Sequence, residues 1–554
     1  MYMPNTLQCN ECNQSFAHLP EETAFYDTHG LSYPKKCPSC RLQFRLASRN
    51  DFFLYPRQCD NCKENIISYY STDKPFRVFC STCYWSDDWN GMDYGIDYDS
   101  NKSVFEHLRQ IHSKIPHLSS RVIKSENSDF TNSCSHNKDC YMSFGLHFSE
   151  KLLNSYWGVE NIECGDCFRF TKSELLYWCI DCSQCYNCQF CLNCQNSEGL
   201  MGCVDCANCQ SCYLSSNLRN KKYVYKNEQL TKEEYEKRVA PIYSHNELKK
   251  IKSEWEKVQQ KAIYSAINQI NCENCLGDNL RNCTNCKFCF EINDSENCLY
   301  VTDGRNIKDS VDVNFSAGKD ASTEYVYNSW GASNSCSNVI ACSDVQEGIY
   351  NVEYCQQCYS SHDLFGCTNL RNKSFCIFNK QYNKKDYLAL KKKIVDKMRV
   401  DGTYGEFFSP RDNLFCYNES PAQLHHPLTK EEVMERGWQW KETSARQYSP
   451  STIQQLPNDI REVPDDTSKE ILVCDTCRKN YKIIVQELDF YRKLNIPLPR
   501  SCFFCRHKDR IKTRNPYILR DTECQKCNKK IQTSYPKELN KIIYCKDCYQ
   551  KVVY

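Results

Sequence analysis

A chain of 554 residues with 40% apolar and 25% charged residues has the composition of a folded, soluble, multidomain protein, which excludes disorder throughout. For its 43 cysteines extracellular disulfides and intracellular metal sites compete as explanations, and the opening MYMPNTLQCNEC lacks the basic start, apolar run and cleavage site of a secretory leader, so a mostly reduced, cytoplasmic protein is expected. No window reaches the roughly 18 uninterrupted apolar residues of a membrane span, and the net charge of +2 conceals a basic end: residues 471–554 come to roughly +10, residues 1–85 to about +1, and the middle is acidic.

Residues 1–90 carry four CxxC pairs: Cys9/Cys12, Cys37/Cys40, Cys59/Cys62 and Cys80/Cys83. All eight positions recur at an offset of 465 as Cys474/Cys477, Cys502/Cys505, Cys524/Cys527 and Cys545/Cys548. Glu22/Glu487, Phe25/Phe490, Tyr26/Tyr491, Pro34/Pro499, Tyr70/Tyr535 and Tyr84/Tyr549 keep the same offset. A CxxC turn aims two thiolates at one point, and two turns complete the tetrahedral shell of a closed structural zinc site, so about four zinc ions are expected. Pairing in sequence order is preferred; a cross-braced order uses the same residues. Four thiolates leave no open position for catalysis.

Residues 91–130 contain most of the acidic aromatic run WSDDWNGMDYGIDYDS, expected at the surface, and a short helix opened by the Ser103/Glu106 capping pattern. Residues 131–228 and 271–382 form two related cysteine-rich segments that share NLRNK, starting at Asn217 and Asn369, 152 apart. In the first, aromatic or apolar segments start at Asn154, Glu174, Glu198 and Asn220, at successive offsets of 20, 24 and 22. Short Tyr, Phe, Val and Cys runs bounded by Asn, Asp, Ser and Gly favour strands and turns, and a period in the low twenties predicts a parallel β-solenoid. Within it, CIDCSQCYNCQFCLNC places a cysteine at every third position from Cys179 to Cys194. Buried, reduced cysteine acting as a small hydrophobe is the preferred reading, with extra metal binding next and disulfides last. The segment Cys272 to Cys289 is the best candidate for an extra metal.

Residues 229–270 form a helical connector, opened by Thr231/Glu234 and split by Pro241. Residues 383–470 contain a helix, another capping pattern at Thr429/Glu432, and a tether expected to be flexible from 441 onward.

At 471–554 the basic module closes the chain. LQCNECNQSFAHLPEETAFYDTHGLSYPKKCPSCR and its counterpart LVCDTCRKNYKIIVQELDFYRKLNIPLPRSCFFCR resemble the bacterial "probable zinc-ribbon" or treble-clef domain: CxxC, an E-x-x-FY helix, a Pro and a closing CxxCR. The whole chain is similar to long cysteine-rich hypothetical proteins of uncultured small-genome bacteria. The resemblance implies zinc and fold and supplies no reaction. After each closing knuckle, arginines fall at i, i+4 and i+8: Arg41, Arg45, Arg49 and Arg506, Arg510, Arg514. On a helix they line one face, suited to phosphate, with Lys508 and Lys512 beside the second set; the competing reading is a set of ion pairs to carboxylates.

No phosphate loop, GxSxG, HExxH or helix-opening GxGxxG is present, and the adjacent His425 and His426, like His107 and His112, have no evident catalytic partner. The expected fold is therefore mainly β and multidomain: a cysteine-rich parallel β-solenoid in two duplicated segments with helical connectors, flanked by tandem zinc-ribbon/treble-clef modules. The expected function is a non-catalytic zinc protein that contacts nucleic acid or a nucleoprotein complex through its C-terminal module. Alternatives are a metal-storage or thiol-redox protein using the central cysteines, and a scaffold whose solenoid surface takes a protein or glycan partner. No membrane contact and no small-molecule substrate is indicated.

Overall fold

The computed structural model describes residues 6–316, 322–442, 450–453 and 456–554. The architecture is mainly β, with parallel solenoids and cysteine-tetrad modules at both ends. The chain divides into two compact units, each assembled from segments remote in sequence. The A unit joins residues 121–266 to 443–516 and 520–554; the B unit joins residues 1–120 to 267–442 and 517–519. Each zinc module therefore belongs with the solenoid farther from it along the chain.

In the A unit the strands Phe144–His147, Tyr156–Val159, Phe168–Thr171 and Ile180–Ser183 stack in parallel with Phe144, Tyr156, Phe168 and Ile180 in register. Each strand follows its predecessor by twelve positions, and the isolated bridges Tyr186↔Glu198 and Leu192↔Val204 keep that step on other sides of the coil. One coil is thus twelve positions long and has four sides of three. Each side has one inward residue, one outward residue and one corner in the left-handed region, as at Asp181, Gln184, Asn187 and Phe190 with φ of 50 to 52°. Corner strain is offset by coil-to-coil hydrogen bonds such as Tyr177 N–H to Cys188 O, 3.0 Å, and Asn187 N–H to Glu174 O, 3.0 Å.

This geometry corrects the expected period: the low-twenties repeat is two coils. One interior column alternates small and large side chains, Cys140, Leu152, Cys164, Leu176, Cys188, Leu200 and Cys212, all buried. Its chemistry recurs only at every second coil, although its backbone recurs at every one. A neighbouring column makes a similar exchange, since a Cβ on Gly158 would meet the Phe170 ring of the next coil at 2.9 Å.

Inward residues recur every third position, which accounts for the cysteine ladder. Cys179, Cys182, Cys185, Cys188, Cys191 and Cys194 all point into the core. The thiols donate to backbone carbonyls, as Cys179 does to Tyr177 O at 3.5 Å and Cys188 O at 3.3 Å. Serines at equivalent positions do the same, Ser143 Oγ donating to Tyr141 O at 2.9 Å and Leu152 O at 3.2 Å. No disulfide forms among the 43 cysteines. Burial pushes Cys134 up to about 12 and Cys140 to about 11, which keeps these two thiols protonated at neutral pH.

The B solenoid is less regular. Val311, Tyr327, Ile340, Glu353, Phe365 and Ile377 stack in register with steps of 16, 13, 13, 12 and 12; the long step spans residues 317–321, outside the described set. Each solenoid ends in a hairpin, Lys222–Tyr225 with Glu228–Gln229 and Ser374–Ile377 with Lys380–Gln381. A capped helix follows each, Lys232–Arg238 after Thr231 and Lys384–Val400 after Asn383. The Ser103/Glu106, Thr231/Glu234 and Thr429/Glu432 capping boxes all form, and the connector breaks around Pro241, resuming at His245–Lys261.

The acidic aromatic run lies at the surface as expected, exposed or half-buried except at Gly91, and rests on the last B coil: Ile96 N–H donates to Phe378 O at 3.0 Å and Asn379 Nδ2 to Gly91 O at 2.9 Å. Gly91 and Gly95 permit this approach, because a Cβ on either would lie 2.7 Å from a backbone carbonyl. The tether expected from 441 lies partly outside the described residues, at 443–449 and 454–455. Its described remainder engages the A unit, where Ile460 N–H donates to Tyr243 O at 3.0 Å.

Candidate metal centres

Four groups of four sulfurs converge: Cys9, Cys12, Cys37, Cys40; Cys59, Cys62, Cys80, Cys83; Cys474, Cys477, Cys502, Cys505; and Cys524, Cys527, Cys545, Cys548. The pairing is in sequence order, not cross-braced. Within each group all sulfurs lie within 4.8 Å of one another. Separations between the two knuckles are 3.8 Å for Cys12–Cys37 and Cys62–Cys80, 3.7 Å for Cys477–Cys502 and 3.8 Å for Cys527–Cys545. A tetrahedron with Zn–S bonds of about 2.3 Å has edges of about 3.8 Å. The tetrads therefore fit zinc without rearrangement, one ion each.

Local structure prepares the thiolates. The second CxxC of each tetrad opens a helix, with Cys37, Cys80, Cys502 and Cys545 as N-cap residues, where the helix dipole favours negative charge. Backbone N–H groups aim at the opposing sulfur, from Cys37 to Cys9 at 3.3 Å, Cys80 to Cys59 at 3.2 Å, Cys502 to Cys474 at 3.2 Å and Cys545 to Cys524 at 3.2 Å. Burial opposes ionisation of Cys474, yet the N–H groups of Cys477, Cys502 and Thr476 bring it down to about 6. With every ligand position taken by sulfur, zinc here staples the fold.

The arginine stripes are placed differently from the expectation. Arg41, Arg45, Arg49, Arg506 and Arg510 are buried, and Arg45 and Arg510 have no exposed surface at all. In the B unit, Arg41 Nε donates to Asp312 at 2.5 Å and Nη2 to Glu22 at 3.0 Å, while Arg45 reaches Asn314, Asn328 and Asp312 at 2.5, 2.9 and 3.2 Å. Arg49 lies over the Trp330 ring, 5.9 Å away. In the A unit, Arg506 and Arg510 both grip Asp166, at 3.0 and 2.5 Å, and Arg514 lies over Phe168 at 5.0 Å. The stripe faces the solenoid, so the ion-pair reading wins over phosphate contact for these arginines. Only Lys508 and Lys512 of the expected set are exposed.

The same bolt is built twice. Tyr26 donates to Glu22 at 2.5 Å and Tyr491 to Glu487 at 2.8 Å, and each glutamate backs the first arginine of its stripe. Burial opposes ionisation of Glu22, but Arg41 and His18 hold it down at about 2. Glu487 has isoleucine where Glu22 has His18 and a longer arginine contact of 3.5 Å; burial dominates and pushes it up. The second knuckles dock through NLRNK: Arg219 donates to Tyr549 at 2.8 Å and to Asp205 at 2.9 Å, and Arg371 lies over Tyr84 at 5.4 Å. The preserved glutamate and tyrosine pairs and the shared NLRNK signalled these contacts. Asp166 and Asp312 gave no signal, because a single corner aspartate resembles any turn residue.

Burial also pushes histidines down, among the most deeply buried His112 to about 3 and His117, His147 and His426 to about 4. Each is neutral when folded and takes up a proton near its ordinary value of 6.5 when unfolded. Their contribution is complete above pH 6.5 and is lost as the pH falls toward 4, on the order of 3 kcal/mol each. The urea midpoint of zinc-loaded protein is expected to fall steadily from pH 7 to 5, and H112L to flatten that slope; an unchanged slope would remove His112 from the account.

Residues 5–49 match the family described as "Probable treble clef domain". No curated protein matches the chain. Among solved structures, a "putative acetyltransferase from Desulfovibrio desulfuricans G20" shares 10% identity over 50% of this chain and 67% of its own, with a TM-score of 0.08, too low to inform fold or activity. Among the described residues no helix is long and apolar enough to cross a membrane.

Proposed function

We propose that the protein is a non-catalytic, zinc-stapled scaffold that contacts nucleic acid, alone or in a nucleoprotein complex, through exposed lysines of its C-terminal module. The observation that carries this reading is the difference between the two zinc modules. Both make the same knuckles and the same arginine bolt, so residues that differ between them are not required by the knuckles or the bolt. The C-terminal module has Lys526, Lys529, Lys530, Lys537, Lys546 and Lys551 where the N-terminal one has Asn61, Glu64, Asn65, Thr72, Ser81 and Ser86. All six lysines are exposed. Lys508 and Lys512 likewise replace Gln43 and Ala47, which are buried in the B unit, Gln43 donating to Tyr417 at 2.7 Å. Lys512 pairs with Asp509 at 3.0 Å and Lys526 lies over Tyr544 at 6.0 Å, both exposed contacts of small structural value, and the surplus of exposed positive charge suits a polyanion.

Anisotropy of a labelled single-stranded oligonucleotide, titrated with the full chain across about 50 to 200 mM salt, tests this. Binding is expected to weaken steeply with salt, and K526Q/K529Q/K530Q to reduce the slope by about 2 to 3. R510M should lower stability and leave that slope unchanged. Salt-insensitive binding, or a triple variant that binds as the parent does, would overturn the reading.

A further inference from the structure

We infer that the opening coils of the B solenoid form a site for a soft, two-coordinate d10 cation such as Cu(I), held between Cys275 and Cys286. Outside the tetrads stand 27 cysteines, 43 less 16, and of these Cys272 and Cys275 alone are half-buried rather than buried. They belong to the first coil. The Glu273↔Thr284 and Thr284↔Glu296 bridges put Cys283 and Cys286 one coil beneath Cys272 and Cys275, and Cys298 beneath Cys286. Cys286 N–H points at Cys275 Sγ, 3.5 Å away, and Cys275 Sγ lies 3.3 Å from Cys283 O. Farther in, Ile292, Val301 and Ile307 fill the core. The result is a column of thiols with half-buried sulfur at the first coil and buried sulfur beneath it.

The geometry selects the ion. No three of these sulfurs come within 4.8 Å of one another, a condition that only the four terminal tetrads meet among the described residues, so no tetrahedral zinc shell is prepared. Cys275 and Cys286 lie on neighbouring coils, whose strands are about 4.8 Å apart, a spacing close to the roughly 4.6 Å spanned by two metal–thiolate bonds of the zinc–sulfur length laid end to end. Soft sulfur ligands favour Cu(I). Binding replaces two thiol protons, which leave to solvent, by one cation, with no change of oxidation state.

The test is an anaerobic titration of the zinc-loaded full chain with Cu(I) delivered from a weak chelator. Copper and zinc per chain are measured after gel filtration, and alkylation of Cys272 and Cys275 by mass spectrometry. The first equivalent is expected to bind with all four zinc ions retained and to block alkylation of Cys275. Cys275→Ser with Cys286→Ser should weaken that binding at least a hundredfold. This variant keeps the fold, because Ser310 lies beneath Cys298 in the same column and donates to Lys308 O at 2.6 Å in the manner of the thiols. Release of zinc by the first equivalent, or a double variant that binds copper as the parent does, would overturn the inference.

Discussion

Chelating zinc at neutral pH is expected to unfold all four terminal knuckles while both solenoids keep their β structure. The first tetrad has little apolar packing of its own, its cluster being Cys9, Cys37 and Cys40 with Cys12 and Phe16 packed against it, the second adds Phe79, Tyr84 and Leu118, and structural zinc contributes about 10–16 kcal/mol in small domains of this kind. Native protein should carry four zinc ions, and denaturation in the presence of a chelator should release all four and expose all 43 thiols, the 16 of the tetrads among them. Proteolysis should then be confined to the stripped termini, and Cys37→Ser should lose a single zinc ion. A metal count other than four, or iron in place of zinc, would reject the structural assignment.

The second large effect falls on two aspartates. Asp166→Ala leaves the guanidinium groups of Arg506 and Arg510 buried without their shared counter-charge, which is expected to destabilise the A unit by about 3–5 kcal/mol. Asp312→Ala should do the same to the B unit through Arg41 and Arg45. Native-state hydrogen exchange can assign each loss, since Asp166→Ala should accelerate exchange in residues 485–511 and leave residues 20–47 unchanged. Removing the charges together, as Asp166→Leu with Arg506→Met and Arg510→Met, should recover most of the lost stability, because apolar groups of similar volume replace buried ion pairs at little cost. Equal exchange in Asp166→Ala and the parent would show that the bolt does not hold the module.

The tetrads were legible because zinc coordination is a local pattern: two CxxC turns declare their purpose without knowledge of anything else in the chain. The solenoid was legible as a repeat, and its true coil was obscured by the Cys/Leu alternation from Cys140 to Cys212, which doubles the chemical period. Corners added to the difficulty. Trp157, Trp178 and Phe190 occupy left-handed positions with φ of 52 to 55°, where Asn, Asp or Gly would have marked a turn. The direction of the arginine stripes was illegible for a different reason. Whether Arg510 meets solvent or an acid depends on Asp166, 344 residues away, and no local pattern contains that information.

The long reach between each zinc module and its solenoid sets an order of events during synthesis. Once Arg49 has been made, roughly 330 residues must still be added before the B solenoid is complete, which at about 5–20 residues per second takes about 15 to 70 s. For that interval the N-terminal module can bind zinc but has nothing to dock on, and Arg41, Arg45 and Phe44 face water. The A solenoid waits in turn for the last residues of the chain, with Phe144, Phe168 and Trp178 uncovered. Growing chains that hold both surfaces open are the stage at which a holding chaperone, or the matching surface of a neighbouring nascent chain, can engage this protein.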